Sequence, residues 1–205
     1  MFSLPQRDIR LKVVADIESL ITDPEDEDKV PCWADIWPAA RGVSYWVWKN
    51  VSFHGDDLLE LGTGLGLPGI VCALKGANVT FSDFNQSALT LALENARINE
   101  AHNVNSFLGD WRKFNLKKRY QWILCSDVTY DPKLNAYLLD IVKQNLNPGG
   151  NLLVSHPARP ATFEFMNNLQ KLSGWKQFNS EVPITIDDPY FPYYNIHIHH
   201  WKQLV

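Results

Sequence analysis

The chain has 205 residues and a formal net charge of -4, with 45% hydrophobic and 20% charged residues. This length and composition are typical of one globular domain with a substantial core. The acidic balance argues against an extended nucleic-acid-binding surface, because contacts to phosphates require clustered Lys and Arg.

The sequence contains no apolar run that resembles a signal peptide core or a membrane span, so we expect no membrane association. The three cysteines, Cys32, Cys72 and Cys125, are far apart and lie in apolar contexts. His and Cys residues do not have the spacing of a zinc site, so we expect no metal. Buried free thiols indicate a reducing compartment, and we expect a cytoplasmic protein.

The segment before residue 51 is predicted to be an N-terminal extension with a lid-like helix. Residues 9–20 alternate enough to predict a strand or hairpin, and residues 22–29 read as a charged loop. Pro38 opens an apolar helix that runs to about Lys49, since proline is favoured at the first helical position.

Strands and helices alternate from Asp56 onward. A parallel sheet covered by helices on both faces follows from that alternation. The final strand alternates Ile with His197 and His199, which predicts an antiparallel edge strand with an exposed histidine face. The predicted strands are residues 58–61, 78–82, 104–108, 122–126, 151–155, 175–178 and 194–201, and the predicted helices are 67–75, 86–99, 132 to about 148, and 161–172.

These elements predict an α/β fold with a doubly wound, Rossmann-like sheet of seven strands. The sheet is expected to be mostly parallel with an antiparallel C-terminal strand. Residues 1–205 are expected to form a single domain, with residues 51–205 as its core.

Residues 58–66 are an apolar run that carries an acid, Glu60, and then breaks into glycines at Gly62, Gly64 and Gly66. This pattern predicts a buried strand that turns sharply into a helix, with backbone open to a ligand at the turn. Leu67 stands where a dinucleotide-binding loop would have its third glycine. That departure, with the acid two residues before the first glycine, favours S-adenosylmethionine over NAD.

The next two strands end in further acids. Asp83 follows the second strand, where a carboxylate can accept both ribose hydroxyls; its alternative role is to cap the next helix. Asp110 and Trp111 follow the third strand and suit adenine, with the carboxylate accepting from the amine beside the aromatic ring. The alternative is a surface Asp and a core Trp.

The fourth strand ends in Ser126-Asp127-Val128-Thr129-Tyr130. A methyl acceptor would meet the cofactor at this point. A buried carboxylate at Asp127 needs a partner. Its alternative role is a turn or cap acid before Pro132.

With these motifs the chain resembles the seven-strand class I S-adenosylmethionine-dependent methyltransferases, and more narrowly the methyltransferase-16 type protein lysine methyltransferases. Three segments carry the resemblance: Ile36 to Gly42 (Ile-Trp-Pro-Ala-Ala-Arg-Gly), Glu60 to Gly69 with its Leu-Pro-Gly extension, and Asp127 to Tyr130 as an acid-x-x-aromatic motif. The resemblance covers about residues 30 to 160.

The resemblance implies a role for each matching residue. Asp127 and Tyr130 would face the acceptor amine, with Asp127 mainly positioning it. The cofactor would be held by Trp37 over it, the loop with Glu60, Gly62, Thr63, Gly64 and Gly66 at its methionine part, Asp83 at the ribose, Asp110 and Trp111 at the adenine, and Ser126 along its side.

Methylation of a lysine in a protein substrate is the leading functional interpretation. A small-molecule N-methyltransferase on the same scaffold and a non-catalytic cofactor-binding module are the alternatives. A nucleic-acid amino-methyltransferase is disfavoured, because Val128-Thr129 stands where a Pro-Pro pair is expected. The sequence leaves the oligomeric state open.

Overall fold

A computed structural model describes residues 1–26, 29–172 and 174–204. A short N-terminal hairpin is followed by α/β alternation around one large sheet. The strands are β1 (Phe2–Leu4), β2 (Arg7–Ile9), β3 (Asp57–Leu61), β4 (Asn78–Asp83), β5 (Val104–Leu108), β6 (Tyr120–Ser126), β7 (Leu146–His156), β8 (Trp175–Thr185) and β9 (Tyr193–Gln203), and the helices are α1 (Pro38–Asn50), α2 (Leu67–Leu74), α3 (Gln86–Ile98), α4 (Pro132–Asn145) and α5 (Pro160–Gln170).

The main sheet has seven strands in the order β5-β4-β3-β6-β7-β9-β8. Strands β3 to β7 pair in parallel, whereas β9 pairs antiparallel with both β7 and β8. The predicted doubly wound, mostly parallel sheet in a single α/β domain is confirmed. Strand order reverses between β3 and β6, which opens a crevice at the carboxyl ends of these strands.

Helices cover both faces of the sheet, as the alternation predicts. One face packs side chains of α1, α2 and α3 against alternate residues of β3, such as Leu58. The other face packs α4 and α5 against Leu59 and Leu61. Val43 and Val47 of α1 are fully buried, so this helix is part of the core, and lid-like movement of the N-terminal extension stays a prediction.

The N-terminal prediction was wrong in position, because the hairpin lies at β1 and β2 rather than in residues 9–20. The backbone N–H groups of Arg10 and Lys12 donate instead to the side chains of Asn99 and Asn95, at 2.9 and 2.7 Å. Side-chain amides of α3 thus take the place of a strand ladder. Part of the predicted charged loop, residues 27 and 28, lies outside the described residues.

The predicted edge position of the final strand was also wrong. Strand β9 lies between β7 and β8, and β8 forms the edge. His199 is therefore only 7% exposed and His197 is half-buried, because β8 and α5 cover a face that we expected to be open. The sequence could not reveal this order, because the alternation within the last strand does not show that β8 pairs with the free side of that strand and becomes the edge.

Cys72 and Cys125 are buried free thiols as predicted, but Cys32 is exposed. It begins the 3-10 turn Cys32–Ala34 ahead of α1. The carbonyl of Cys32 accepts the indole N–H of Trp37 at 2.8 Å, which fixes the turn at the surface.

Within the described parts of the chain, no helix combines the length and apolar character needed to cross a membrane.

Candidate active site

A cavity of about 810 Å³ opens at the carboxyl ends of β3, β4 and β6. The predicted site residues all line it, although they come from separate parts of the chain. These residues are Trp37, Glu60, Gly62, Thr63, Gly64, Gly66, Asp83, Asp110, Trp111, Ser126, Asp127 and Tyr130.

The glycine loop connects β3 to α2 through three left-handed residues. Gly62, Gly64 and Gly66 have φ angles of 65°, 50° and 84°. A Cβ atom on Gly62 would lie 2.6 Å from Val128 Cγ1 and 3.2 Å from the ring of Trp111. This position therefore requires glycine for its conformation and for the close approach of its neighbours.

Glu60 lies beneath the loop and binds it at two points. Its carboxylate accepts the Thr63 hydroxyl at 2.5 Å and the Gly69 N–H at 3.2 Å. Burial raises the pKa of Glu60 to about 8, although both hydrogen bonds act in the opposite direction. Glu60 thus ties the end of β3 to the loop and to the first turn of α2.

Asp83 ends β4 and is only 4% exposed. Its carboxylate accepts the backbone N–H of Gly64 at 3.1 Å and that of Asn85 at 2.9 Å. Burial raises its pKa. The alternative interpretation as a helix cap does not hold, because Asn85 is the N-cap of α3 and accepts from Ser87 and Ala88. A carboxylate has about four acceptor positions, so Asp83 retains capacity for a ligand hydroxyl.

Asp110 and Trp111 follow β5, which lies beyond β4 at the edge of the sheet. Asp110 accepts the backbone N–H of Arg112 at 2.9 Å and forms an ion pair with its guanidinium at 2.8 Å. The hydrogen bond from Arg112 lowers the pKa of Asp110. Asp110 therefore caps a short turn while it lines the cavity, and the Trp111 ring stands beside Gly62.

Asp127 follows β6 in a left-handed conformation, with φ of 53°. A non-glycine residue in this region is uncommon and is held there by its surroundings. The Asp127 N–H donates to the Ser155 carbonyl at 2.8 Å. Asp127 is not the cap of the next helix, because Asp131 fills that role for α4.

Arg159 is the partner of Asp127. Its Nε lies 2.5 Å from Oδ1 and its Nη2 lies 2.9 Å from Oδ2, which makes a bidentate ion pair. The Asp127 side chain is 3% exposed and the Arg159 side chain is 35% exposed. The hydrogen bond to Asp127 raises the pKa of Arg159.

Four groups surround Arg159 and fix its orientation. The guanidinium carbon lies 5.8 Å from the ring centre of Trp37 and 5.9 Å from that of Tyr130. The backbone N–H of Arg159 donates to His156 Nδ1 at 3.1 Å. Together with Asp127, these contacts hold a planar cation close to two aromatic rings at the cavity wall.

Our sequence predictions did not include Arg159. A signal was available, because Arg159 follows the fifth predicted strand by four residues and precedes Pro160, which opens α5. A basic residue just beyond the carboxyl end of a central strand reaches the same crevice as the acids. Other lining residues that we did not predict include Trp33, Ile36, Lys133, Leu134 and Tyr137.

Ser126 and Tyr130 complete the wall around Asp127. The Ser155 hydroxyl donates to the Ser126 hydroxyl at 3.1 Å, so β6 and β7 are linked at their carboxyl ends. The neighbouring Thr129 is buried, and its hydroxyl donates to that of Thr162 in α5 at 2.9 Å. Tyr130 is 46% exposed and presents its ring to the cavity.

Across residues 1–26, 29–172 and 174–204, no group of three or more His, Cys, Asp or Glu side chains could hold a metal ion.

Residues 18–172 match a family model described as "Lysine methyltransferase". The chain belongs to this family. The matched region contains the glycine loop, all three strand-end acids and the Asp127–Arg159 pair, so the family assignment and the cavity concern the same residues. S-adenosylmethionine is the cofactor.

Curated relatives carry related names. The chain is 30% identical over 114 residues to "Histidine protein methyltransferase 1 homolog" of Dictyostelium discoideum, which covers 53% of this chain and 37% of the relative. It is 30% identical over 137 residues to "EEF1A lysine methyltransferase 3" of Mus musculus, which covers 62% of this chain and 56% of the relative. The matches thus span about half or less of these relatives' lengths.

A solved structure supports the fold assignment. The N-methyltransferase NodS of Bradyrhizobium japonicum, in complex with S-adenosyl-L-homocysteine, superposes with a TM-score of 0.64 at 16% identity. The superposition covers 91% of this chain and 96% of NodS.

The residues of this lysine methyltransferase family member fit the cofactor. A side chain on Gly62 would fill the space beside Val128 and Trp111 where the loop backbone must stay open. Asp83 offers acceptor oxygens suited to a ribose. Trp111 offers an aromatic surface suited to adenine, and Trp37 lines the cavity beside Arg159.

Proposed function

We propose that this chain transfers a methyl group from S-adenosylmethionine to a nitrogen of a protein side chain, with the lysine amine as the leading acceptor. The proposal includes the roles of the individual site residues and a cytoplasmic location. Three free cysteines are consistent with that location.

One contact carries the proposal. Val128, the residue after Asp127, packs so closely on the glycine loop that a Cβ on Gly62 would lie 2.6 Å from it. The loop that would hold the methionine part of the cofactor and the tip of β6 are therefore direct neighbours. A group held at Asp127 and Tyr130 would sit beside the reacting end of the cofactor.

When bound, the cofactor supplies a methyl group on a positively charged sulfur. The chain must then hold an acceptor nitrogen at about 3–3.5 Å from that carbon and in line with the bond that breaks. Trp37, Tyr130 and the Asp127–Arg159 pair form the wall that would orient the acceptor. The buried base of the cavity, with Glu60 and Asp83, would exclude water from the cofactor.

The names of the relatives support a protein acceptor. One relative is named for histidine and another for lysine, and both residues carry a nitrogen in the side chain. The small-molecule alternative uses the same cavity, so an experiment must separate the two.

The test uses methyl-labelled S-adenosylmethionine and a cell extract, with label followed in protein, nucleic acid and small molecules. The wild-type chain is compared with Asp127→Asn, which keeps the size of the side chain and tolerates the left-handed conformation. Asp140→Asn, an exposed position on α4, is the matched control.

We expect a discrete protein band with the wild type and the control, and at least about a tenfold weaker band with Asp127→Asn. Binding of S-adenosylhomocysteine, measured by calorimetry, should persist in all three proteins. Label confined to small molecules would favour the metabolite alternative. Cofactor binding without transfer of label to any fraction would favour the binding-module alternative.

A further inference from the structure

We infer that Arg159 makes the acceptor end of the cavity selective for an uncharged side-chain nitrogen. The inference rests on the proposed function, because it assigns the charge state in which the acceptor enters that same site. It adds Arg159 to Asp127 and Tyr130, the two residues that were expected to face the acceptor.

The positive charge of the Asp127–Arg159 pair is the one that faces the cavity. Both residues line the cavity, but the Asp127 side chain is only 3% exposed, while the Arg159 side chain is 35% exposed. Both carboxylate oxygens are already bound by the guanidinium. An incoming group therefore meets the cation of the pair first, and the negative charge is neutralised behind it.

The Arg159 side chain is held rigidly in the cavity wall. The Arg159 guanidinium is held by the bidentate contact and by the rings of Trp37 and Tyr130, and its backbone N–H is bound by His156. It also occupies the N-cap position of α5, directly before Pro160. Rotation of the guanidinium out of the wall would break both hydrogen bonds to Asp127 and both ring contacts, so the positive charge stays in place when an acceptor enters.

The guanidinium of Arg159 disfavours a protonated acceptor. Like charges repel at close approach, and the more exposed guanidinium is the charge of the ion pair that an acceptor meets first. A lysine ammonium is therefore disfavoured beside Arg159, whereas a neutral amine or a neutral imidazole is not. A lysine ammonium must release its proton to solvent before it enters. A histidine side chain is mostly neutral near neutral pH, so it can enter without losing a proton.

The chemistry requires the same charge state. The lone pair of the neutral nitrogen forms the bond to the methyl carbon, and the electron pair of the carbon–sulfur bond stays on sulfur. The product nitrogen then carries the positive charge, and an amine product releases one proton to solvent. A protonated nitrogen has no lone pair for this attack.

Other ionisable groups near Arg159 do not reverse this charge. Asp127, Tyr130 and Tyr194 act on it electrostatically, and His156, whose pKa burial lowers, accepts the backbone N–H of Arg159. Of these, Asp127 carries the negative charge that the guanidinium neutralises.

The experiment compares binding of two small probes to the protein loaded with S-adenosylhomocysteine. The probes are n-butylamine and 1-methylimidazole at about pH 7.5, where the amine is protonated and the imidazole is mostly neutral. Binding is followed by ligand-observed NMR. The variants are Arg159→Gln and Lys133→Gln, since Lys133 also lines the cavity and its replacement removes the same charge.

We expect wild type and Lys133→Gln to bind 1-methylimidazole in preference to n-butylammonium. Arg159→Gln should bind n-butylammonium about tenfold more tightly than wild type does, because Asp127 is then uncompensated. Equal binding of n-butylammonium by wild type and Arg159→Gln would overturn the inference, as would failure of the wild type to bind 1-methylimidazole.

The outcome is separable from that of the proposed function. Loss of S-adenosylhomocysteine binding in Arg159→Gln would show that this variant cannot be compared with the wild type. Arg159→Lys, which keeps the positive charge, would then replace it and must retain the wild-type preference for 1-methylimidazole. Failure of the labelling experiment with intact probe selectivity would contradict the proposed function alone.

Discussion

His156 and His199 share a hydrogen bond between β7 and β9, with 3.0 Å between their Nε2 atoms. His156 accepts the N–H of Arg159 at Nδ1, so its neutral ring carries a proton on Nε2 and donates it to His199. His199 in turn donates from Nδ1 to Asn179 Oδ1 at 2.8 Å. The bond from Arg159 requires a neutral His156 and the bond from His156 requires a neutral His199, because a ring nitrogen accepts in each. This chain of bonds begins at the backbone of Arg159, the residue that pairs with Asp127.

The first prediction is that acid destabilises the fold through these two rings. Burial lowers the pKa of His156 to about 3 and that of His199 to about 4. In the unfolded chain both titrate near about 6.5, so the unfolded state takes up protons first as the pH falls. The free energy of unfolding should therefore decrease from about pH 6.5 towards about pH 4, by up to about 1.4 kcal/mol per pH unit for each proton.

Urea unfolding at a series of pH values measures this slope. His199→Gln removes one of the titrating rings and should make the slope shallower. His54→Gln, at an exposed position, should leave the slope as in wild type. A slope unchanged by His199→Gln would mean that other groups cause the acid sensitivity.

The second prediction concerns Asp83 and the cofactor. Asp83→Asn replaces one acceptor oxygen by a donor, and it removes the negative charge that a ribose hydroxyl would meet. The affinity for S-adenosylhomocysteine should fall by about tenfold or more, since a hydrogen bond to a charged group contributes roughly 1.5–3 kcal/mol. Calorimetry measures the affinity, and Asp140→Asn is the control. An unchanged affinity would leave Asp83 with the single role of holding Gly64.

The third prediction separates backbone strain from close approach in the glycine loop. Gly62 and Gly55 both have positive φ angles, 65° and 83°. A Cβ on Gly55 would meet nothing within 4 Å, whereas a Cβ on Gly62 would collide with Val128. Gly55→Ala should cost about 1–2 kcal/mol of stability through strain alone. Gly62→Ala should cost more and should also weaken S-adenosylhomocysteine binding.

Urea unfolding and calorimetry on both variants test this difference. Equal losses of stability and equal affinities for S-adenosylhomocysteine in the two variants would contradict a special role for close approach at Gly62.

Local sequence signals predicted most of the fold. The glycine loop, the strand-end acids and the Pro38 helix start each depend on a few neighbouring residues, and the structure has them within a residue or two. The residues predicted for the site line one cavity because parallel strands bring their carboxyl ends to one edge.

Contacts between distant residues were not predicted. The position of β9 inside the sheet depends on β8, and the burial of His199 follows from that position. Asp127 was predicted to need a partner, but its pairing with Arg159, 32 residues away, was not predicted. The position of Arg159 after a central strand indicates only that a basic residue reaches the crevice, whereas its pairing with Asp127 depends on how β7 and α5 meet.

The fourth prediction is a loss of stability at alkaline pH through Glu60. Its pKa is raised to about 8 by burial, against 4.5 for an ordinary glutamate. As the pH rises between these values the unfolded chain loses the proton first, so the free energy of unfolding should decrease over that range. Glu60→Gln retains an acceptor for the Gly69 N–H and a donor for Thr63, but it does not titrate. Its stability relative to wild type should therefore improve between about pH 5 and about pH 8.

Urea unfolding of both proteins at the two pH values measures the change, and Glu164→Gln, exposed on α5, should show none. If Glu60→Gln were destabilised by the same amount at both pH values, the carboxyl group would be ionised throughout, and its role would be to accept hydrogen bonds as a buried anion.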